Sequence, residues 1–146
     1  MRRKTHWNIA WSKGKENTTD AFYVRGMVFV VEQGFQNEFD DLDAKSWHVI
    51  IYDDKEPVGT GRTFQNKEGE WQLGRICVLE DYRSKGVGRV ILENLEEKIK
   101  SLGGKTASLS AQTRVKGFYI KNGYQPQGEE YMDEHCPHIK MVKNLD

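Results

Sequence analysis

The chain has 146 residues, 37% hydrophobic and 30% charged, with 22 Lys plus Arg balancing 22 Asp plus Glu. That length is expected to form one domain, residues 1–146, able to bury roughly 70% of its unfolded surface without a disulfide or metal staple. Zero net charge excludes a global pull toward nucleic acid or an anionic membrane, and no window approaches the ~20 apolar residues of a bilayer span.

HWNIAW (6–11) alternates apolar and polar residues and predicts a first strand. Residues 20–33, DAFYVRGMVFVVEQ, carry Phe22, Val24, Met27, Val28 and Val31 at mixed three-and-four spacing, which predicts a helix with Asp20 as its N-cap. The acidic stretch 34–46 reads as a loop. WHVIIYDD (47–54), PVGTGRTFQ (57–65) and WQLGRICVL (71–79) are three strands separated by the turns DDKEP and NKEGE, forming an antiparallel meander. Val87, Ile91, Leu95, Ile99 and Leu102 mark one buried stripe of a helix, which Gly103 and Gly104 end. KTASLSA (105–111) is a strand, 113–122 a short helix stopped by Gly123, and 124–134 and 137–145 are the last two strands.

A helix joining strand 71–79 to strand 105–111 makes those two parallel through a right-handed crossover. The fold class is therefore α/β in the mixed sense: a mostly antiparallel sheet with one parallel pair. Cys77 and Cys136 lie far apart with no metal-ligand spacing, and no apolar run follows the basic start MRRKTHWNIAW. Free thiols without a secretory leader point to a reducing cytoplasm, Cys77 as a small buried hydrophobe and no metal.

Between strand 71–79 and helix 87–102 lies Arg83-Ser84-Lys85-Gly86-Val87-Gly88-Arg89. Amides at a helix start lack intrahelical partners and the helix dipole favours an anion there, while glycine lets a ligand approach the backbone. Two phosphate motifs fail on spacing. Gly88 is followed by Arg89-Val90, which excludes GxxxxGK[ST], and Ile91 stands where GxGxxG/A needs its third small residue. Two glycines alone could be a turn and nothing more.

The run V-x-x-x-x-R-x-x-G-x-G, from Val78 through Arg83 to Gly88, resembles the acyl-coenzyme A signature of the GNAT acetyltransferase superfamily. RVKGFYIKNGYQ (114–125) is similar to that family's FYxxxGF/Y segment. R-x-x-V-F-V-x-E-Q (25–33), F-D-D-L-D (39–43), His48, Ala111-Gln112 and P-H-I-K-M (137–141) resemble its ElaA-like branch. The resemblance implies a sheet that splays at the coenzyme site, with acetyl-coenzyme A as co-substrate. It implies that Ile76, Cys77 and Val78 lie along the thioester. Arg83, Ser84, Lys85, Gly86, Val87, Gly88 and Arg89 would hold the pyrophosphate, and Gln112 would hydrogen-bond coenzyme or backbone.

The same resemblance puts Tyr119 near the sulfur, where a phenol can protonate a departing thiolate; Tyr124 is the weaker alternative. The position where histone-type relatives carry a glutamate falls on Gln72, which cannot take a proton. Glu32, Asp40, Asp43, His48, His138 and water remain as bases, with Glu32 and His138 preferred. The expected activity is N-acetylation of a primary amine on a small molecule such as an amino sugar or polyamine. A homodimer is left open. Acidic residues 38–43 favour a cationic acceptor by charge complementarity. A coenzyme A-binding sensor without catalysis, or an enzyme acting on a protein amine, are the competing expectations.

Overall fold

In the computed structural model, which describes residues 7–146, the alternating segments assemble into one seven-stranded sheet. Its strands are β1 (Asn8–Lys13), β2 (Trp47–Asp53), β3 (Glu56–Gln65), β4 (Trp71–Val78), β5 (Thr106–Gln112), β6 (Gln125–Asp133) and β7 (Cys136–Asn144), in spatial order β1-β2-β3-β4-β5-β7-β6. Every neighbouring pair is antiparallel except β4 and β5. The expected strand at 6–11 runs instead from Asn8 to Lys13, and His6 lies outside the described residues.

The helices α1 (Thr19–Arg25), α2 (Val87–Ser101) and α3 (Lys116–Lys121) cover both faces. On α2 the predicted stripe is buried at Val87, Ile91, Leu95 and Ile99, joined by Leu92, whereas Leu102 is exposed because the helix has already ended. This stripe rests on β3 where the strand has no side chains. A Cβ at Gly61 would stand 2.7 Å from Ile91 Cγ2 and 2.9 Å from Leu95 Cδ1, so glycine sets how closely helix and sheet approach. The next residue, Arg62, points to the opposite face and pairs there with Asp40 and Asp43. Alternation along one strand thus separates an apolar α2 face from a charged α1 face.

The segment expected as one helix over 20–33 is two structures. α1 ends at Arg25 and Gly26–Glu32 continues as a π-helix, with Gln33 N donating to Val28 O five residues back at 3.0 Å. Gly26 and the β-branched Val28, Val30 and Val31 hold an α-turn weakly, and the wider turn commonly marks a functional segment. Asp20 is not the N-cap. Thr18 occupies that place, while the Asp20 carboxylate in the first turn accepts from Tyr52 Oη at 2.6 Å. The 34–46 loop carries a single 3₁₀ turn, Asp41–Lys45, capped by Asp40 accepting from Leu42 N at 3.1 Å.

Candidate active site

β4 and β5 pair only through Gln72 with Ser108 and Leu73 with Leu109, although the strands run on to Val78 and Gln112. Past those two pairs the sheet opens. A bulge helps to turn β4 away: Thr60 pairs with Cys77 and Arg62 with Gly74, so two steps along β3 match three along β4. Arg75 takes up the extra residue with a left-handed φ of +52°. A cavity of about 360 Å³ occupies the opening.

The cavity is walled from both faces of the sheet. Val28, Phe29, Gln33, Phe35 and Glu38 close it on the α1 side, and Val115, Phe118 and Tyr119 on the α2 side. Two separate apolar clusters bracket it. Cys77 packs with Val24 and Val28, while Ile76, Val78 and Tyr119 belong with the α2 stripe. Two molecules can therefore meet inside the opening, one arriving from each face.

The α2 face offers backbone donors. Ser84 and Gly86 both adopt left-handed φ, +64° and +87°, which turns the chain sharply into α2. No side chain caps α2, so its first amides, at Val87, Gly88 and Arg89, lack an acceptor within the helix. A Cβ at Gly88 would stand 3.1 Å from Phe118 Cζ, so this glycine lets α3 seat against the turn. This uncapped, glycine-shaped helix start fits a pyrophosphate group.

Its expected cations are differently employed. Arg83 is bound in a two-pronged ion pair with Glu32, at 2.7 and 2.6 Å, and its Nε donates to Val78 O at 3.0 Å. It braces β4 against the π-helix rather than standing free for phosphate. Lys85 Nζ lies 5.3 Å from the centre of the Tyr82 ring, and Arg89 pairs with Glu93 on the exposed side of α2. The hydrogen bond from Arg83 lowers the Glu32 carboxyl, with the guanidinium charges of Arg83 and Arg114 adding to it against a small burial cost. Glu32 stands outside the cavity wall, so this expected base is a bracing residue.

Tyr119 lines the cavity and is 8% exposed, with no hydrogen-bond partner for its hydroxyl among the described residues. Burial pushes its phenol up, and the Cys77 thiol nearby adds to the effect. The group is a neutral O–H donor. Tyr124, the weaker alternative, donates to Glu96 Oε2 at 2.9 Å in the core beneath. Burial likewise pushes the Cys77 thiol up, so it is a packed wall residue and no thiolate. Gln112 sits where the sheet opens, but its amide joins two side chains. Nε2 donates to Gln33 Oε1 at 2.8 Å, and Oε1 accepts from Arg114 Nε at 3.0 Å.

His138, 7% exposed, lines the cavity from β7. Its Nδ1 is 2.9 Å from the Cys136 carbonyl oxygen. A carbonyl only accepts, so Nδ1 carries the proton and Nε2 of the neutral ring keeps a lone pair. Tyr131 stacks on the ring and Phe35 meets it edge-on. His48 is elsewhere: fully buried, with Nε2 3.0 Å from Gly14 O and 3.2 Å from Asp43 O, it ties loops together. Gln72 lies on β4 before the opening.

Three of the four acids in the segment 38–43 are spent on ion pairs. Glu38, Asp40 and Asp43 face Arg25, Arg62 and Arg75, with six ion-pair distances from 2.7 to 3.2 Å, so the six charges cancel. Of the acids at 38–43 only exposed Asp41 stands outside this network, so most of the segment's charge is not free to attract a cation. Sequence reasoning gave no individual role to the wall residues of this half: Glu38, Arg75, Gln33 and Glu134. Glu134 accepts from the amides of Gln36 and Asn37 at 3.0 and 3.1 Å, clasping the β6–β7 turn to the loop over the cavity. Only the contact across 98 residues reveals it.

Comparison with known proteins agrees with this geometry. The family model described as "Acetyltransferase (GNAT) domain" matches residues 16–145. The Bacillus subtilis protein named "Uncharacterized N-acetyltransferase YjcF" is 43% identical over 136 residues, covering 91% of this chain and 96% of its own. The crystal structure of Escherichia coli ElaA superposes with a TM-score of 0.82 at 26% identity, over 95% of this chain and 100% of that one. An aminoglycoside 6'-N-acetyltransferase crystallised with coenzyme A shares the fold, with a TM-score of 0.70 at 18% identity over 94% of this chain and 97% of its own.

Proposed function

Because the chain belongs to the GNAT acetyltransferase family, we propose that it moves the acetyl group of acetyl-coenzyme A onto a primary amine of a small molecule by direct attack. The observation that carries this reading is the cavity at the β4–β5 opening, walled from both faces of the sheet and lined on one by Arg83 and by Phe118, against which the uncapped start of α2 packs through Gly88. Acetyl-coenzyme A supplies an activated carbonyl. The amides of Val87, Gly88 and Arg89 would hold its pyrophosphate, with Lys85 adding charge. The bulged segment Ile76–Val78 would turn main-chain amides toward the thioester oxygen, where charge develops during attack.

His138 Nε2 takes a proton from the acceptor's ammonium group, freeing the nitrogen lone pair. The new C–N bond forms as the C–S bond breaks, and the Tyr119 hydroxyl gives its proton to the departing sulfur. A second proton leaves the nitrogen as the amide forms. It replaces the one lost from Tyr119, and the proton on His138 passes to solvent. Glu32 has no part in this scheme, since its carboxylate is fixed on Arg83. Cys77, a buried neutral thiol, supports direct attack over an acyl-enzyme route.

Release of free thiol from acetyl-coenzyme A across a panel of amino sugars, polyamines and simple alkylamines tests the reading. Turnover with at least one small amine is expected. Coenzyme binding by thermal shift with no turnover on any of them would favour a sensor, and turnover only with a protein amine would move the acceptor to another class.

A further inference from the structure

Glu38, a carboxylate in the cavity wall, takes no part in the mechanism. Glu38 is 4% exposed and lines the α1 side. Its Oε2 is held by Arg25 Nε at 2.8 Å and Arg75 Nε at 3.1 Å. Its backbone carbonyl accepts from Arg25 Nη2 and Arg75 Nε, both at 3.1 Å. Two arginines thus fix both the main chain and the side chain of this residue. Oε1 receives none of these bonds and has no hydrogen-bond partner among the described residues.

This oxygen is not sealed within the protein, so it is open to a donor. Burial raises the Glu38 carboxyl above the ordinary glutamate range, outweighing the charge of Arg75 and the hydrogen bond and charge of Arg25. Oε1 lacks a donor, and the cavity is the side from which one can come. Arg25, Arg62 and Arg75 are balanced by Glu38, Asp40 and Asp43, so the network has no net charge with which to repel a cation.

The geometry points to Glu38 as the acceptor-binding residue: its Oε1 accepts a hydrogen bond from the acceptor's primary ammonium and so selects an amine over a neutral molecule of the same shape. This rests on the acetyl-transfer reading above and deepens it, because it assigns the acceptor's charged end to one atom. It differs from attraction by the acidic loop as a whole, most of whose charge is cancelled. Other charged side chains line the same cavity: Arg83, paired with Glu32, together with Arg114, Asp133 and Glu134. The two acids stand at the β6–β7 turn and are the alternative anchor for a cation.

Calorimetric titration of the full chain with coenzyme A bound tests this, using n-hexylamine and n-hexanol as probes. The wild type is expected to bind the amine at least tenfold more tightly than the alcohol. Glu38→Gln should erase that preference while leaving coenzyme affinity unchanged, and the double variant D133N/E134Q should keep it. Should Glu38→Gln fail to fold, Glu38→Asp retains the charge but withdraws the oxygen, and a severalfold weaker grip on the amine is expected.

Equal affinity for the two probes in the wild type overturns the proposal, as does failure to bind the amine. Loss of the preference in D133N/E134Q but not in Glu38→Gln overturns it too. Acetyl transfer to hexylamine, followed separately by thiol release, keeps the two readings apart. A wild type that prefers the amine through Glu38 yet acetylates no amine sinks the transfer reading alone.

Discussion

On the α2 face, the proposed coenzyme half is made of consecutive residues: the turn Arg83–Arg89, whose Arg83 lines the cavity, supplies backbone amides, two left-handed residues and a helix start. On the α1 face, the wall is made of side chains gathered from the π-helix, the 34–38 loop, the β4 bulge and the β6–β7 turn. The first half is set by local backbone conformation, and its chemistry tolerates many side chains. The second depends on charges meeting over long sequence distances, as when Glu134 clasps Gln36 from 98 residues away. A common coenzyme can be held by the local half, while the long-range half is free to vary with the acceptor.

Breaking the long-range half should have the largest effect on stability. Arg25 is 1% exposed and serves Glu38 and Asp43 together. Arg25→Ala leaves both carboxylates buried without their common partner, and an uncompensated buried charge costs about 3–5 kcal/mol. Urea unfolding is expected to show a loss of that size, and a loss below about 1 kcal/mol would mean that the loop is held by packing alone.

The next effect falls on the reacting centre between the halves. Tyr119→Phe removes the proposed proton donor and keeps the ring contacts with Phe118 and Tyr124. Turnover should drop about 100-fold, as is typical for loss of a general acid, with coenzyme affinity unchanged. Unaltered turnover in steady-state assays would remove Tyr119 from that role. A smaller effect is expected in the local half. Gly86→Asp and Gly88→Asp put negative charge beside the uncapped amides, and Gly86 also requires its φ of +87°. Coenzyme affinity should weaken about tenfold or more, about 1.4 kcal/mol, without loss of the Arg25 network. Retained affinity in both variants would place the pyrophosphate elsewhere.

What could be read from sequence follows the same division. The α2 stripe, the meander and the glycine turn are short-range patterns, and the structure reproduces them to within a residue or two. The parallel pair also followed, since a helix joins its two strands. The helix 20–33 was misread in kind because a 3.6-residue period does not describe an i→i+5 turn. Arg83 was expected at phosphate, since nothing in its neighbourhood shows that Glu32 folds back upon it. Asp40 and Asp43 stood among the candidate bases because the arginines that pair with them come from α1, β3 and β4, far off in sequence. Glu38 had no signal beyond the charge of its segment: one acid in an acidic loop becomes distinctive only when its neighbours are paired and one of its oxygens is not.

The pH dependence of stability should separate those acids by sign. Burial alone would raise Asp43, but hydrogen bonds and charge from Arg25 and Arg62 outweigh it and hold the carboxyl below the ordinary aspartate range. Asp40 behaves likewise, with Arg62 and Arg75 as the opposing cations. For a carboxyl lowered by folding, the unfolded chain binds the proton more tightly. The stability it contributes is present above the unfolded value and disappears as pH falls through the folded one. Glu38 is raised, so its term is fully present below the ordinary glutamate value and is lost as pH rises through the folded one. Denaturation curves between pH 3 and 7 should therefore respond in opposite directions. Asp40→Asn should flatten the rise of stability with pH, and Glu38→Gln should steepen it. A Glu38→Gln curve parallel to that of the wild type would show that Glu38 gains no proton affinity on folding, and that its second oxygen is better satisfied than the wall of the cavity implies.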